Sequence, residues 1–225
     1  KVVLNTEPTG DVVFDLTSEN TEEATLSSSS LTFTTGNWNS AQTVTITGVD
    51  DDEDDGDQTI TITTAINATS TADSNYDSLA DQTFTTAVVD NDTVGYVITE
   101  SGGSTSVTEG GSSDSISVVL SSQPNTKVRI TFTSADTGEV TVSSSALTFD
   151  ASNWDTPQNL NLLPVTDNED DDNQTVTITT SIDTGFTDDT KYDALVDQSF
   201  SVNVIDVDSA GFTVTESGGS STVSE

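Results

Sequence analysis

The residues of this chain best suited to chemistry are carboxylates, and they are clustered. The run Asp50-Asp51-Asp52-Glu53-Asp54-Asp55-Gly56-Asp57 is matched further along by Asp167-Asn168-Glu169-Asp170-Asp171-Asp172. A short acidic ending follows each run, Asp90-Asn91-Asp92 and Asp206-Val207-Asp208. A lone glutamate forms the third position, Glu109 closing Ser106-Val107-Thr108 and Glu225 closing Thr222-Val223-Ser224. Carboxylates gathered in this way suit a hard divalent cation. Ca²⁺ takes roughly six to eight oxygens with little geometric demand, whereas Mg²⁺ prefers octahedral, water-rich sites and fits less well. The acids of both runs, those of both endings, and Glu109 and Glu225 are the candidate ligands for Ca²⁺. The first run superficially matches an EF-hand loop through Asp51, Glu53, Asp55 and Gly56, but the twelfth place is Ile62 instead of Glu and strands flank it, so an EF-hand is rejected.

Other chemistry finds little support. The chain has no His and no Cys, so Ser, though plentiful, lacks the usual base, and no thiol is available as nucleophile. No glycine-rich phosphate cradle follows a strand. Carboxylate pairs can hydrolyse glycosides, but nothing marks a substrate cleft. The expectation is a protein that is not an enzyme. The 39 acidic residues against four basic ones give a net charge of -35. That charge repels nucleic acid and anionic lipid, and it leaves the folded chain repelling itself unless cations neutralise part of it. A solubilising acidic surface is the competing reading of the same charge.

The elements that must position these acids are strands. Ile60 and Ile62 alternate with Thr59, Thr61 and Thr63, as Val176 and Ile178 do with Thr175, Thr177 and Thr179. Val12, Phe14 and Leu16 correspond to Val128, Ile130 and Phe132, while Phe84 and Val88 share a face, as do Phe200, Val202 and Val204. This is the period of half-buried strands, and no stretch carries a convincing helical period. About seven short strands per unit, bounded by Gly, Asn, Asp and Ser, predict an all-β chain of immunoglobulin-like β-sandwiches.

The units are copies. Leu31-Thr32-Phe33 returns as Leu147-Thr148-Phe149, Trp38 as Trp154 and Tyr76-Asp77 as Tyr192-Asp193, always 116 residues on. A fixed period of this kind marks a tandem array of domains. The tryptophans are read as packing anchors. The frame is offset, so residues 1–92 form a repeat lacking its first strand and 93–208 a complete repeat. Residues 209–225 supply the first strand of a following repeat, or a strand donated to a neighbouring molecule by head-to-tail strand addition. A second acidic group, Asp73, Asp77 and Asp81 around Tyr76, with Asp189, Asp193 and Asp197 around Tyr192, is read either as a structured turn or as another metal site.

Ser106-Val107-Thr108-Glu109-Gly110-Gly111, Leu147-Thr148-Phe149, the run from Val49 to Asp57 and the closing Asp90-Asn91-Asp92 together resemble the Calx-beta domain, in order as well as type. That resemblance implies an immunoglobulin-like sandwich known from sodium–calcium exchangers and from very large bacterial surface proteins and adhesins. It implies calcium ligation by Glu109, the acids of 167–172, Asp206 and Asp208 in one unit. Asp50, Asp51, Glu53, Asp54, Asp55, Asp90 and Asp92 would serve the other, with Glu225 entering a third. Thr166 stands where the first unit has Asp50, Val207 interrupts the closing acids, and Gln58 and Gln174 stand where the family often has Glu, so the second unit is expected to hold fewer ions. The functional expectation is a calcium-stabilised structural repeat of an extracellular or cell-surface stalk, filament or giant adhesin, whose partners are neighbouring repeats. The alternative is a calcium-dependent glycan- or protein-binding adhesion module, which would need exposed aromatic residues beside the ions, with Tyr76, Tyr96 and Tyr192 as candidates. No membrane insertion is expected, since no run of eighteen apolar residues exists.

Overall fold

The structure, a computed structural model, describes residues 1–216, 218–219 and 222–225. The chain divides into two compact units, Lys1–Asp92 and Thr93–Glu225. The first holds β1 (Val12–Ser18), β2 (Ala24–Leu26), β3 (Ser30–Phe33), β4 (Ile46–Gly48), β5 (Gln58–Ile66) and β6 (Gln82–Val88). Four of these form an antiparallel sheet in the order β3-β1-β5-β6, and β2 pairs with β4.

The second unit holds β7 (Tyr96–Glu100), β8 (Thr105–Thr108), β9 (Asp114–Leu120), β10 (Val128–Ser134), β11 (Val140–Val142), β12 (Ala146–Phe149), β13 (Gln158–Pro164), β14 (Gln174–Ile182), the single-turn helix α1 (Thr190–Asp193) and β15 (Gln198–Ile205). One sheet runs β12-β10-β14-β15-β8 and the other β11-β13-β9-β7. Every ladder is antiparallel except β15 with β8, which is parallel. The expected alternation closes the core. Val128, Ile130, Val176, Ile178, Val202 and Val204 point from one sheet onto Ile116, Val118, Leu160 and Leu162 of the other, all buried. The polar residues between them face outward, the pattern that makes branched side chains good strand formers here.

The first unit follows the same plan with part of it missing. Nothing in it corresponds to β7 and β8, and only Val2, bridged to Gln42, stands where β9 would pair. β4 is accordingly three residues against seven for β13. The alternation is intact, but its inward face is left uncovered. Phe84 is 50% exposed, whereas Phe200 packs against the second unit's core. Val44 and Ile46 are half-buried, whereas Leu160 and Leu162 are fully buried. Trp38 and Trp154 pack on the cores of their own units. Residues 209–216 and 222–225 form no strand, and Phe212 is 91% and Val214 78% exposed. Among the described residues no helix is long and apolar enough to cross a membrane.

A tyrosine locks one loop of each unit. The fully buried Tyr192 hydroxyl donates to the Ser122 carbonyl at 2.6 Å. Tyr76 does the same to Thr6 at 2.8 Å. Burial pushes the Tyr192 phenol up, which keeps it protonated and able to donate. Tyr192→Phe leaves that buried carbonyl without its donor and should lower the unfolding free energy of the second unit by about 1–2 kcal/mol. Denaturant titration measures it, and a change within the ±0.5 kcal/mol or so typical of surface substitutions would refute the role.

Candidate metal centre

The acids expected to act together are brought together by strand pairing. In the second unit β8 runs parallel to β15, with Val107 opposite Val204 and Thr108 opposite Ile205. The ladder continues one step, the Glu109 amide donating to the Ile205 carbonyl at 3.1 Å. Glu109 therefore sits beside the strand end that leads into Asp206 and Asp208. Carboxylate oxygens of these three lie within 4.8 Å of one another, as do those of Glu109, Glu139 and Asp167.

Glu139 was not among the sequence candidates. It precedes β11, and its carbonyl accepts from Val165 at 2.8 Å, which ties it to the start of the acidic loop. Its counterpart Glu23 binds Val49 in the same way at 2.8 Å. The signal was present in the sequence, since Glu23 and Glu139 are one period apart. It was hidden because neither lies in an acidic run: Glu139 stands alone before Val140-Thr141-Val142, and Glu23 follows only Glu22 before Ala24-Thr25-Leu26.

Burial without a partner for one oxygen sets these two glutamates apart from the hydrogen-bonded Asp73 and Asp189. Glu109 is 3% and Glu139 8% exposed, and Oε2 of each has no hydrogen-bond partner. Desolvation pushes both above the usual carboxylate range. The charges of Asp167, Asp206, Asp208 and Asp171 add to this at Glu109, and those of Asp171, Glu109, Asp167 and Asp136 at Glu139. Buried, unpartnered, mutually repelling carboxylates are unfavourable unless something positive shares the space. A divalent cation fits the donor set, which is all oxygen and geometrically undemanding.

The loop is shaped toward the same place. Gly56 (φ 78°) and Asp172 (φ 61°) both adopt left-handed backbone. Their amides point at the closing acids: Gly56 N–H donates to Asp90 at 2.6 Å and Asp172 N–H to Asp206 at 3.0 Å. Asp tolerates this conformation better than most residues, which is how the second unit dispenses with the glycine. Asp206 and Asp90 also accept from the amides of Asp208 and Asp92, at 2.7 and 2.8 Å.

In the first unit Glu23, Asp51, Asp55, Asp90 and Asp92 line a cavity of about 20 Å³. Desolvation, then Asp55 and Asp51, raises Glu23; desolvation, then Asp90 and Asp52, raises Asp92. Of the other sequence candidates, Asp50 is exposed and Glu53 and Asp54 are half-buried. Glu169 and Asp170 are exposed, Asp170 accepting from the Ala210 amide at 2.6 Å. Asp171 is half-buried close enough to raise Glu109 and Glu139, and Glu225 is exposed and joins neither cluster.

The second acidic group behaves as a turn. Asp73 accepts from the Thr9 amide at 2.8 Å and the Asn75 amide at 3.0 Å, and Asp189 caps α1 and accepts from Asn125 at 2.9 Å. The three tyrosines named as aromatic candidates are core residues, Tyr96 5%, Tyr76 9% and Tyr192 0% exposed, because their rings fill the sheet faces. They offer no platform beside the acids.

No protein-family model and no curated protein matches the chain. Among solved structures it is similar to domains 1–6 of the surface-layer protein SbsC, at 16% identity and TM-score 0.40, covering 86% of this chain and 20% of that one. It is similar to SbsC domains 4 and 5 at 14% identity and TM-score 0.37, covering 92% and 73%. The apo form of the Calx CBD1 domain is similar at 13% identity and TM-score 0.35, covering 50% and 98%. The chain spans about a fifth of the length of SbsC domains 1–6. With TM-scores this low, none of these likenesses bears on what the site binds.

The Asp73 turn gives a pH test. The Thr9 amide, then the Asn75 amide, holds Asp73 below its ordinary value of 3.8. A carboxylate lowered on folding stabilises above its unfolded pKa, and that stabilisation disappears as pH falls through the lower folded value. Acid unfolding of the first unit should therefore steepen below pH 3.8, and Asp73→Ala should flatten that limb relative to wild type. Parallel acid limbs would refute the contribution.

Proposed function

We propose that the chain is a stretch of tandem immunoglobulin-like domains, repeating every 116 residues, that serves as a calcium-stabilised structural part of an extracellular or cell-surface protein. The observation that carries this reading is the pair of buried Glu109 and Glu139 oxygens that lack partners and converge with Asp167, Asp206 and Asp208. Repetition of the strand plan in both units, the sequence resemblance to Calx-beta domains and the net charge of -35 support it. In this reading Ca²⁺ joins the acidic loop, the end of the last strand and the glutamate after the first strands. It thereby ties the first strands of a repeat to its own last strand, fixes the strand end from which the next repeat leaves, and so stiffens an array. The adhesion-module alternative is weakened by the burial of all three tyrosines.

Calcium selective for the folded state would stabilise it by about 2.7 kcal/mol at a hundredfold excess over the dissociation constant. Thermal unfolding should shift up markedly in millimolar calcium and return in chelator. Glu109→Gln removes a desolvated charge while keeping its shape, so it should raise the midpoint of the second unit in chelator and abolish much of the calcium shift. A calcium-independent midpoint in the wild type would overturn the reading.

Stiffening is tested separately by small-angle scattering. The particle should be shorter and more flexible in chelator than in calcium, and an unchanged maximum dimension in both would leave calcium with a role confined to single domains.

A further inference from the structure

The strand order of the second unit sets the direction in which a pull on the chain would load it. The chain enters this sandwich at Thr93 and leaves it after Ile205, with further sequence on both sides. The entering strand β7 begins beside the start of β15. The Tyr96 carbonyl accepts from Gln198 Nε2 at 3.3 Å, and the Tyr96 hydroxyl is bonded to Thr180 Oγ1 at 2.8 Å, with Thr180 opposite Gln198. The leaving segment starts at the other end of β15. Entry and exit therefore lie at opposite ends of an eight-residue strand, about 25 Å apart. Tension drawn through the chain is directed along that strand.

Two neighbours hold β15 against such a pull. β14 pairs with it antiparallel from Gln174–Val204 to Thr180–Gln198, and β8 pairs with it parallel from Thr105–Val202 to Thr108–Ile205. Load from the entry side passes through β7, itself held along β9 from Tyr96–Leu120 to Glu100–Ile116, and then into β8. Tension thus draws β8 toward its beginning and β15 toward its end. Because the two strands are parallel, this slides one past the other, and the bonds of the ladder carry load together instead of opening one at a time. Sliding has no easy first step. A one-residue slip turns Val107, or Val202 and Val204, out of the core, and each is at most 1% exposed. An antiparallel pairing of the same two strands would put entry and exit at one end, where a pull simply unzips them.

We propose that the second unit resists tension along the chain, and that the parallel ladder of β8 with β15 is the mechanical clamp through which it does so. The acids stand at one end of this clamp. Glu109 follows β8, Asp206 and Asp208 follow β15, and their carboxylate oxygens lie within 4.8 Å of one another. A cation held there ties the two strands together at the end from which β15 is pulled, adding a cross-link that is strained by the same sliding motion. The clamp stands on strand topology and core packing alone, while the part played by the cation rests on the calcium reading above.

Optical-tweezers extension of the full chain tests the proposal. The chain has no Cys, so DNA handles attach wherever a pair of cysteines is introduced. Thr93→Cys with Ser209→Cys loads the clamp in shear. Ser113→Cys with Ser209→Cys pulls the neighbouring ends of β8 and β15 apart and peels the same ladder. All three positions are exposed, and equilibrium unfolding matched to the unsubstituted chain verifies that the fold is kept. In shear, release of about 400 Å of chain, less the folded separation, marks unfolding of the whole unit. In chelator and at one loading rate, the unfolding force should be several-fold higher in shear than in peeling, because forced unfolding reads the barrier in the loaded direction and not the folding free energy. Millimolar calcium should raise the shear force further. Glu109→Gln should keep the directional difference and lose that increment. Equal forces in the two directions, or a shear force below the peeling force, overturn the proposal. A directional difference that calcium and Glu109→Gln leave untouched keeps the clamp and counts against the calcium reading instead.

Discussion

The parallel pairing of β8 with β15 is the constraint on which the rest of the second unit depends. The same four-residue strand places Val107 in the core and, two residues on, Glu109 among the acids. Core and charge cannot be adjusted separately, because side chains alternate along a strand and a one-residue slip would turn Val107 out and move Glu109 away from Asp206. The continuation of the ladder from Glu109 to Ile205 fixes this register just where the acidic ending begins. Apolar burial therefore holds the carboxylates close, against their mutual repulsion.

That repulsion gives the site its electrostatic character. Hydrogen bonds satisfy several of the surrounding acids: Asp206 takes the Asp172 and Asp208 amides, and Asp167 takes the Glu169 amide at 2.7 Å. Glu109 and Glu139 each keep one oxygen that nothing in the protein answers. Backbone donors are thus spent on shaping the loop, and the two glutamates are left as the unsatisfied acceptors. With Arg129 paired to Asp183 at 3.6 Å, one of only four basic residues lies in another ion pair, so positive side chains have little to offer the cluster. In the proposed function a cation from solution would answer what the chain does not supply.

The cores of the two units are built differently. Where β7 and β8 are present, the two sheets close on each other, and the facing residues of β13, β14 and β15 are buried. In the first unit β4 has three residues, Phe84 is half exposed and the buried residues form two smaller clusters. Leu31, Phe33, Val12 and Tyr76 still bury, because their partners come from within the unit.

The sequence alone determined the strands, the repeat and most of the acidic constellation. The alternation of Ile and Thr in 59–63 and of Val, Ile and Thr in 175–179 is a local property, and side chains two residues apart must share a face in any sheet. The acid runs are equally local. Tertiary structure decided which acids meet. Glu139 lies far along the chain from Glu109 and Asp167, and the antiparallel pairing of β11 with β13 brings it to them. It also decided that Asp73 and Asp189 anchor turns instead of gathering a second site, since their partners Thr9 and Asn125 are distant in sequence. The tyrosines offered as surface aromatics became core residues because a sheet face needs filling and a ring with one polar tip can fill it while bonding at its edge. Spacing fixes what adjacent residues do, but burial and partnership depend on strands that meet only after the chain has folded.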